Sequence, residues 1–170
     1  MKTLMIHSKK HGSRELIYDE GDEEFVSRHS WYVWKDPVNK NLYYCRTNIT
    51  VNGKQKTYRF HRLLLGVTDR KIEVDHINHN GLDNRRENLR VCDRNQNQAN
   101  ARPGSNQSSV YKGVYFKKNR SHRPTPWIAQ IQVDLRQIHL GCFSTEEEAA
   151  LAYNRAALIY FGEFAFLNDV

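Results

Sequence analysis

Short apolar runs interrupted by polar residues fill the first third of the chain, and several of them favour β-strands. Leu42 to Val51 and Lys56 to Phe60 are two such runs, joined through Asn52-Gly53. An Asn-Gly pair accepts the positive φ angles of a two-residue turn, so the segment predicts a hairpin. Before it, Trp31 and Trp34 bracket another β-favouring stretch, preceded by the acidic run Tyr18 to Glu24. After it, His61-Arg-Leu-Leu-Leu-Gly66 predicts a short helix stopped by its glycine.

From Lys71 to Ala101 the pattern changes. Apolar positions thin out and Asn, Asp, His and Arg crowd together in IEVDHINHNGLDNRRENLRVCDRNQNQANA. A segment this polar builds little core, which points to chemistry or ligand contacts. Asp93 with Gln96 three residues on has the form of a capping box, and predicts a short helix running to about Ala101. Residues 102–109, RPGSNQSS, are rich in turn formers and carry no apolar side chain, as a linker would. Three β-like runs follow, Val110 to Lys117, Trp127 to Val133 and Gln137 to Phe143, the first two separated by the basic loop KKNRSHRPTP. Ser144 with Glu147 predicts the start of a helix whose Ala149, Ala152, Tyr153, Ala156 and Tyr160 share one face. Alanines on that face let a helix lie close against a sheet.

Charge and composition narrow the partners. The net charge is +7 over 170 residues, and mean hydropathy is -0.78. Modest cores and a polyanionic partner follow, because Lys and Arg bound to phosphates release condensed counterions. Residues 40–102 hold 13 Lys/Arg against 6 Asp/Glu, so the basic excess gathers around the polar segment. Cys45, Cys92 and Cys142 are scattered and form no CxxC pair, which argues for reduced thiols and against a zinc ribbon or a disulfide framework. No apolar run is long enough to span a bilayer and the N-terminus lacks a signal-peptide pattern, so a cytoplasmic protein without a membrane partner is expected.

Within the polar segment, Asp75-His76 ends a β-like run, Asn88 lies in RENLR and Asn97 on the predicted helix. Phosphodiester hydrolysis needs a base for water and relief of charge on the leaving oxygen. A neutral imidazole supplies the first near pH 7, and a hard divalent cation on oxygen ligands supplies the second. Asp75 and the Asn97 amide are suitable oxygen donors, His76 projects to the strand's other face, and an Asn such as Asn88 could orient the imidazole. His61 and His79 have blander readings, as a core histidine and a turn or phosphate contact. VDHINHNGLDNRRENLRVCDRNQNQAN resembles the HNH homing endonucleases of phages and group I introns, over roughly residues 56–101. The resemblance implies the ββα-metal fold, with Asp75 and Asn97 as metal ligands, His76 as general base and Asn88 as structural support. The last position is Asn, an H-N-N variant, and the implied ion is Mg²⁺, with Mn²⁺ as the alternative. Arg62, Arg85, Arg86, Arg90 and Arg94 flank the motif as candidate DNA contacts.

SSVYKGVYF, WIAQIQV, IHLGCFSTEEEAALAYNRAALIYFG and AFLN resemble the APETALA-type DNA-binding domain of plant ethylene-response factors, over residues 108–168. The resemblance implies a sheet laid in the major groove, with contacts from Lys112, Tyr115, Lys117, Trp127, Gln130, Gln132 and His139. Tyr115, Gln132 and His139 replace arginines and a tryptophan of the plant pattern, so the plant target does not carry over. For Trp127, core packing and DNA contact are equally good readings.

The expected fold class is α+β: an N-terminal β-rich segment (1–55) that either extends the DNA interface or buttresses the catalytic unit, an HNH core (56–101), a linker (102–109), and a three-stranded antiparallel sheet packed on one helix (110–170). The expected function is a metal-dependent, sequence-directed endonuclease acting on double-stranded DNA as a monomer or homodimer, in the cytoplasm of a bacterial host if phage-encoded. One site per chain implies a nick. Loss of residues 105–170 is expected to weaken site selection while sparing some nicking. The alternatives are a transcriptional regulator with a silent HNH segment and an RNA-directed protein, the latter without a stacking motif in its favour.

Overall fold

The computed structural model describes residues 1–39, 41–104, 107–118 and 124–170. It is α+β, built from small antiparallel sheets and few helices, in two compact units, Met1–Cys92 and Asp93–Val170. The units divide at Cys92/Asp93, ahead of the 102–109 segment read as a linker. Residues 105–106 of that segment and 119–123 of the basic loop lie outside the described residues.

In the first unit, β1 (Lys2–Ile6) and β2 (Arg14–Tyr18) form a two-stranded ladder, with Leu4 opposite Leu16. The helix α1 (Glu23–Ser27) begins within the acidic run, with Glu23 and Glu24 in its first turn. Strands β3 (Tyr32–Lys35), β4 (Tyr43–Val51) and β5 (Lys54–Arg59) make a three-stranded sheet in the order β3-β4-β5. The expected turn joins β4 to β5, with Asn52 at φ 51 and Gly53 at φ 71. Helix α2 (Phe60–Leu64) ends at Gly66, whose φ of 65 suits a residue without a Cβ. The core is apolar and aromatic: Leu16, Cys45 and Phe60 are fully buried, and Trp31 packs on Phe60 with ring centroids 4.6 Å apart. Burial in this core pushes the Cys45 thiol far up, which keeps it protonated. Strands β6 (Glu73–His76) and β7 (Leu89–Cys92) form a separate antiparallel pair, joined by a loop over residues 77–88. The loop is strapped to β2 by Ile17 N–H donating to the Leu82 carbonyl (2.9 Å) and Asn84 N–H donating to that of Ile17 (2.8 Å).

The second unit begins with α3 (Arg94–Asn100), started by the anticipated capping box between Asp93 and Gln96. Strands β8 (Val114–Phe116), β9 (Trp127–Val133) and β10 (Arg136–Phe143) form an antiparallel sheet in the order β10-β9-β8. β8 is shorter than the apolar run Val110 to Lys117. Gly113 has φ 75, and a Cβ there would meet the Tyr153 ring at 2.1 Å and the Gln130 carbonyl at 2.5 Å, so strand geometry begins only after it. Helix α4 (Glu146–Phe161) is capped one residue later than the sequence pattern predicts, by Thr145 with Glu148 in place of Ser144 with Glu147. Its buried face is Ala149, Ala150, Tyr153, Ala156 and Ala157, whereas Tyr160 is exposed. Those alanines pack on Val114, Ala129 and Ile131 from the sheet. Among the described residues, no helix is long and apolar enough to cross a membrane.

Candidate active site

Strand alternation sends Asp75 and His76 to opposite faces of β6. Asp75 pairs with Arg90 across the ladder, its Oδ2 accepting from Arg90 Nε at 2.9 Å and from a terminal guanidinium nitrogen at 2.8 Å. Both side chains are about nine-tenths buried. His76 is buried on the other side, edge-on against His61 (centroids 4.8 Å, interplanar 88°) and near the Tyr44 ring at 5.9 Å.

Burial pulls the His76 imidazole below its ordinary value, with its contact to Asn84 and the Asp75 charge opposing, and leaves it neutral at pH 7. His61, deeper still, is pulled well down by burial and by His76, and its Nδ1 is buried with no hydrogen-bond partner. The His76 Nε2 lies 3.2 Å from Asn84 Oδ1, and the Asn84 amide nitrogen faces the Gly81 carbonyl at 3.5 Å. With Asn84 Oδ1 as acceptor, the matching tautomer of the neutral ring carries its proton on Nε2 and its lone pair on Nδ1.

Asn84 can do this because the loop carrying it is laced from within. Asn88 accepts from Asn78 N–H through Oδ1 (3.0 Å) and donates from Nδ2 to Asn78 Oδ1 (3.0 Å) and to the Asp83 carbonyl (2.7 Å). Asn78 Nδ2 donates to Asp83 Oδ2 at 2.8 Å, and Arg85 clasps both Asp83 oxygens at 2.8 and 2.7 Å. The Arg85 guanidinium holds the Asp83 carboxyl below the usual carboxylate range. Asn88 is therefore a brace of the loop, and Asn84, which the sequence hides among the neighbouring asparagines, is the side chain at the imidazole. Gly81 lets the loop lie on β4: a Cβ there would sit 2.4 Å from the Tyr43 carbonyl oxygen and 2.6 Å from the Tyr44 ring.

The flanking arginines are largely committed inside the protein. Arg85 also pairs with Glu87. Arg86 donates to both Asp22 oxygens (3.2 and 2.6 Å), and its backbone N–H donates to Asp19 at 2.8 Å, which gives the acidic run its task. Arg62 donates to the Ile72 and Asp69 carbonyls at 2.6 and 2.7 Å, stapling the loop before β6. Arg94 is exposed on the first turn of α3.

In the second unit, Asn97 lies on α3, partly buried. Trp127 packs with Phe143 and Leu140 into the cluster under α4, the core reading of the two weighed for it. Tyr115, Gln130, Gln132 and His139 alternate with the helix-facing residues and so occupy the sheet's other face, where Gln130 pairs with His139 and Gln132 with Gln137. Lys117 follows β8 in the same alternation. Lys112 points elsewhere: its Nζ donates to the backbone carbonyls of Gln98, Ala99 and Ala101.

As a donor set for metal, Asp75 and Asn97 offer one carboxylate and one amide oxygen. Oxygen donors of these kinds suit a hard divalent ion, which would keep several waters. Among the described residues no three His, Cys, Asp or Glu side chains converge in the manner a Cys- or His-rich zinc centre requires.

The β6-β7 ladder with its buried Asp-His pair and asparagine-laced loop lies within the segment by which comparison with known proteins assigns the chain to a class of nucleases. The HNH endonuclease family model matches residues 59–99. The chain is 34% identical over 149 residues to an uncharacterised HNH endonuclease of Acanthamoeba polyphaga mimivirus, across 85% of this chain and 70% of that protein. The chain belongs to the HNH endonuclease family. It is also 46% identical over 50 residues to an ethylene-responsive transcription factor-like protein of Arabidopsis thaliana, across 29% of this chain and 20% of that protein. No solved structure matches.

Proposed function

We propose that this protein is a sequence-directed DNA endonuclease of the homing type, in which His76 is the general base and Asp75 and Asn97 hold one divalent cation in a ββα-metal arrangement. The observation that carries the proposal is the state of His76. It is buried, with Nε2 3.2 Å from Asn84 Oδ1, on a loop that Asn78, Asp83 and Asn88 lace together, and burial pulls it toward the neutral form. A base so held accepts a proton from water without first losing one, and loses no rate to misorientation.

The cation, Mg²⁺ or Mn²⁺, would supply charge relief at the scissile phosphate and leaving oxygen. The chain's own residues do the rest. Nδ1 of His76 takes the proton of the attacking water, and Asn84 keeps Nε2 protonated while it does so. Arg90 holds the Asp75 carboxylate in one orientation, and the Tyr44 and His61 rings exclude solvent from the far side of the imidazole. One such site per chain supports a nick as the product. The sheet face opposite α4, where Gln132 and His139 are exposed and Tyr115 and Gln130 half-buried, together with Lys117, supports an ethylene-response-factor-like reading module. Glutamine is a bidentate partner for adenine, so its target differs from an arginine-read one.

The test is relaxation of supercoiled plasmid by the purified protein, with Mg²⁺ or with EDTA. The wild type should nick only with metal, and His76→Ala should lose at least about 100-fold, the usual scale for a general base. Equal nicking by both proteins would remove His76 from the mechanism. A regulator with a silent HNH segment draws its support from the Asp75–Arg90 pair, which already neutralises the carboxylate. Tight DNA binding without any nicking would favour it.

A further inference from the structure

Among the described residues of the second unit, Lys112 is a closely confined cation. Its backbone is fixed on both sides by one side chain: Lys112 N–H donates to Asn168 Oδ1 at 2.7 Å, and its carbonyl accepts from Asn168 Nδ2 at 3.1 Å. Asn168 is in turn locked to α4, its N–H donating to Asn154 Oδ1 (2.8 Å) and its carbonyl accepting from Asn154 Nδ2 (2.9 Å). From this anchor the lysine stem runs to the last turn of α3. There Nζ donates to the Gln98, Ala99 and Ala101 carbonyls at 3.0, 2.6 and 2.7 Å, and lies 5.6 Å from the centroid of Phe166.

An ammonium has three N–H donors, and all three are in use. The last turn of a helix carries orphan carbonyls and the negative end of its dipole, so a cation there is favourable twice over. Burial brings Lys112 down to about 8, which leaves it charged at pH 7. The N–H of Phe166 adds a fourth tie, donating to the Ala99 carbonyl at 3.2 Å.

A helix of seven residues is too short to hold its own geometry in water. Its first turn is fixed by the Asp93–Gln96 box, and its last turn by Lys112 and Phe166. Asn97 sits between these clamps, directly before the first carbonyl that Lys112 takes.

We infer that Lys112 is a positioning residue for Asn97: through the carbonyls of α3, the C-terminal module sets the orientation of a residue of the metal site. This rests on the reading of Asn97 as a cation ligand. It also replaces the expected role of Lys112 as a DNA contact, because an ammonium held by three carbonyls is not available to a phosphate. The module that reads DNA is thereby also the module that holds the helix contributing to catalysis.

The test uses the full chain with a duplex DNA present, and follows Mn²⁺ binding by loss of the free-ion paramagnetic resonance signal. DNA affinity is measured alongside, in EDTA, over a series of salt concentrations. Lys112→Met keeps the stem and removes the donors. It should weaken Mn²⁺ binding about tenfold, the low end for removing a group that orients a ligand, and leave DNA affinity and its salt slope unchanged. Lys112→Gln, which keeps two donors on a shorter arm, should fall between the two and serves if the methionine variant does not fold. Unchanged Mn²⁺ binding in either folded variant overturns the inference. So does a loss of DNA affinity with a salt slope shallower by about one, the signature of a phosphate contact. Asn97→Ala separates the two levels. If it binds Mn²⁺ as the wild type does, the ligand reading of Asn97 fails; if it loses Mn²⁺ while both Lys112 variants retain it, only the clamp fails.

Discussion

At the scale of single residues, the candidate site is a set of charges and rings whose ordinary solution behaviour has been changed by burial. His76 and His61 face each other edge-on, and both are pulled below their ordinary value of 6.5 because burial disfavours the imidazolium. The unfolded chain therefore binds protons that the folded chain refuses just below pH 6.5. The contribution of these two histidines to stability should be independent of pH above that value and fall as pH is lowered through it, continuing down to the folded-state values. Urea midpoints measured across this range check the direction, and His61→Leu should make the fall shallower. For activity the same shift works in the enzyme's favour. His76 stays neutral below pH 6.5, so the acid limb of the nicking rate should lie under that value; a limb at or above it would contradict the burial argument. Asp75 and Arg90 make a second residue-scale case. Removing one partner of a buried pair leaves an uncompensated charge, at a cost of about 3–5 kcal/mol. Arg90→Met should lower the urea-derived stability by an amount of that order, and added Mn²⁺ should restore more stability to this variant than to the wild type, because the cation supplies the missing countercharge.

At the scale of elements, what the sequence disclosed depended on how local the determining interaction was. The Asn52-Gly53 turn and the capping box at Asp93 are decided within four residues, and both are where the pattern put them. β8 fell short because its start is decided by Tyr153 on α4 and the Gln130 carbonyl crowding Gly113, contacts that no local window contains. The cap of α4 moved by one residue because Ser144 and Thr145 are equivalent as cap formers and only backbone geometry chooses between them. The loop over 77–88 shows the same division. Its polarity marked it for function, and Asp75, His76 and Asn88 stood out by spacing. Asn84 did not, because its role comes from the fold of the loop onto β2 and β4. That fold depends on Gly81. An alanine there would force its Cβ against the Tyr43 carbonyl, a backbone atom that cannot swing aside. Gly81→Ala should cost about 1–3 kcal/mol, the range for overpacking, and reduce nicking by moving Asn84 relative to His76. A variant with unchanged urea midpoint and rate would show that the close approach of loop and strand is not required.

At the scale of the whole molecule, the sequence predicts a nuclease followed by a linker and a reader, separable at residues 102–109. The contacts divide the chain differently: α3, with Asn97, belongs to the unit that carries the sheet and α4, and is held there by Lys112 and Phe166. Composition could not show this, since RPGSNQSS has every mark of a linker, and Lys112 reads in sequence as a free cation on a basic module. A chain ending at Gly104 keeps β1 to β7, the laced loop and the whole Asp75-His76 arrangement, so its first unit should give a cooperative unfolding transition. It also keeps Asn97, yet has lost the Lys112 and Phe166 donors that hold the last turn of α3. If the helix needed only its capping box, this fragment would nick DNA slowly and without site preference, as a detachable nuclease should. With the clamp gone, a seven-residue helix frays and Asn97, the proposed ligand, is no longer held. The fragment should therefore be folded, should bind Mn²⁺ weakly, and should lack metal-dependent nicking. Circular dichroism with urea establishes that the fragment is folded, and plasmid relaxation with Mg²⁺ decides between the two outcomes. Slow unselective nicking at a Mg²⁺ midpoint equal to that of the full chain would restore the separable-module reading.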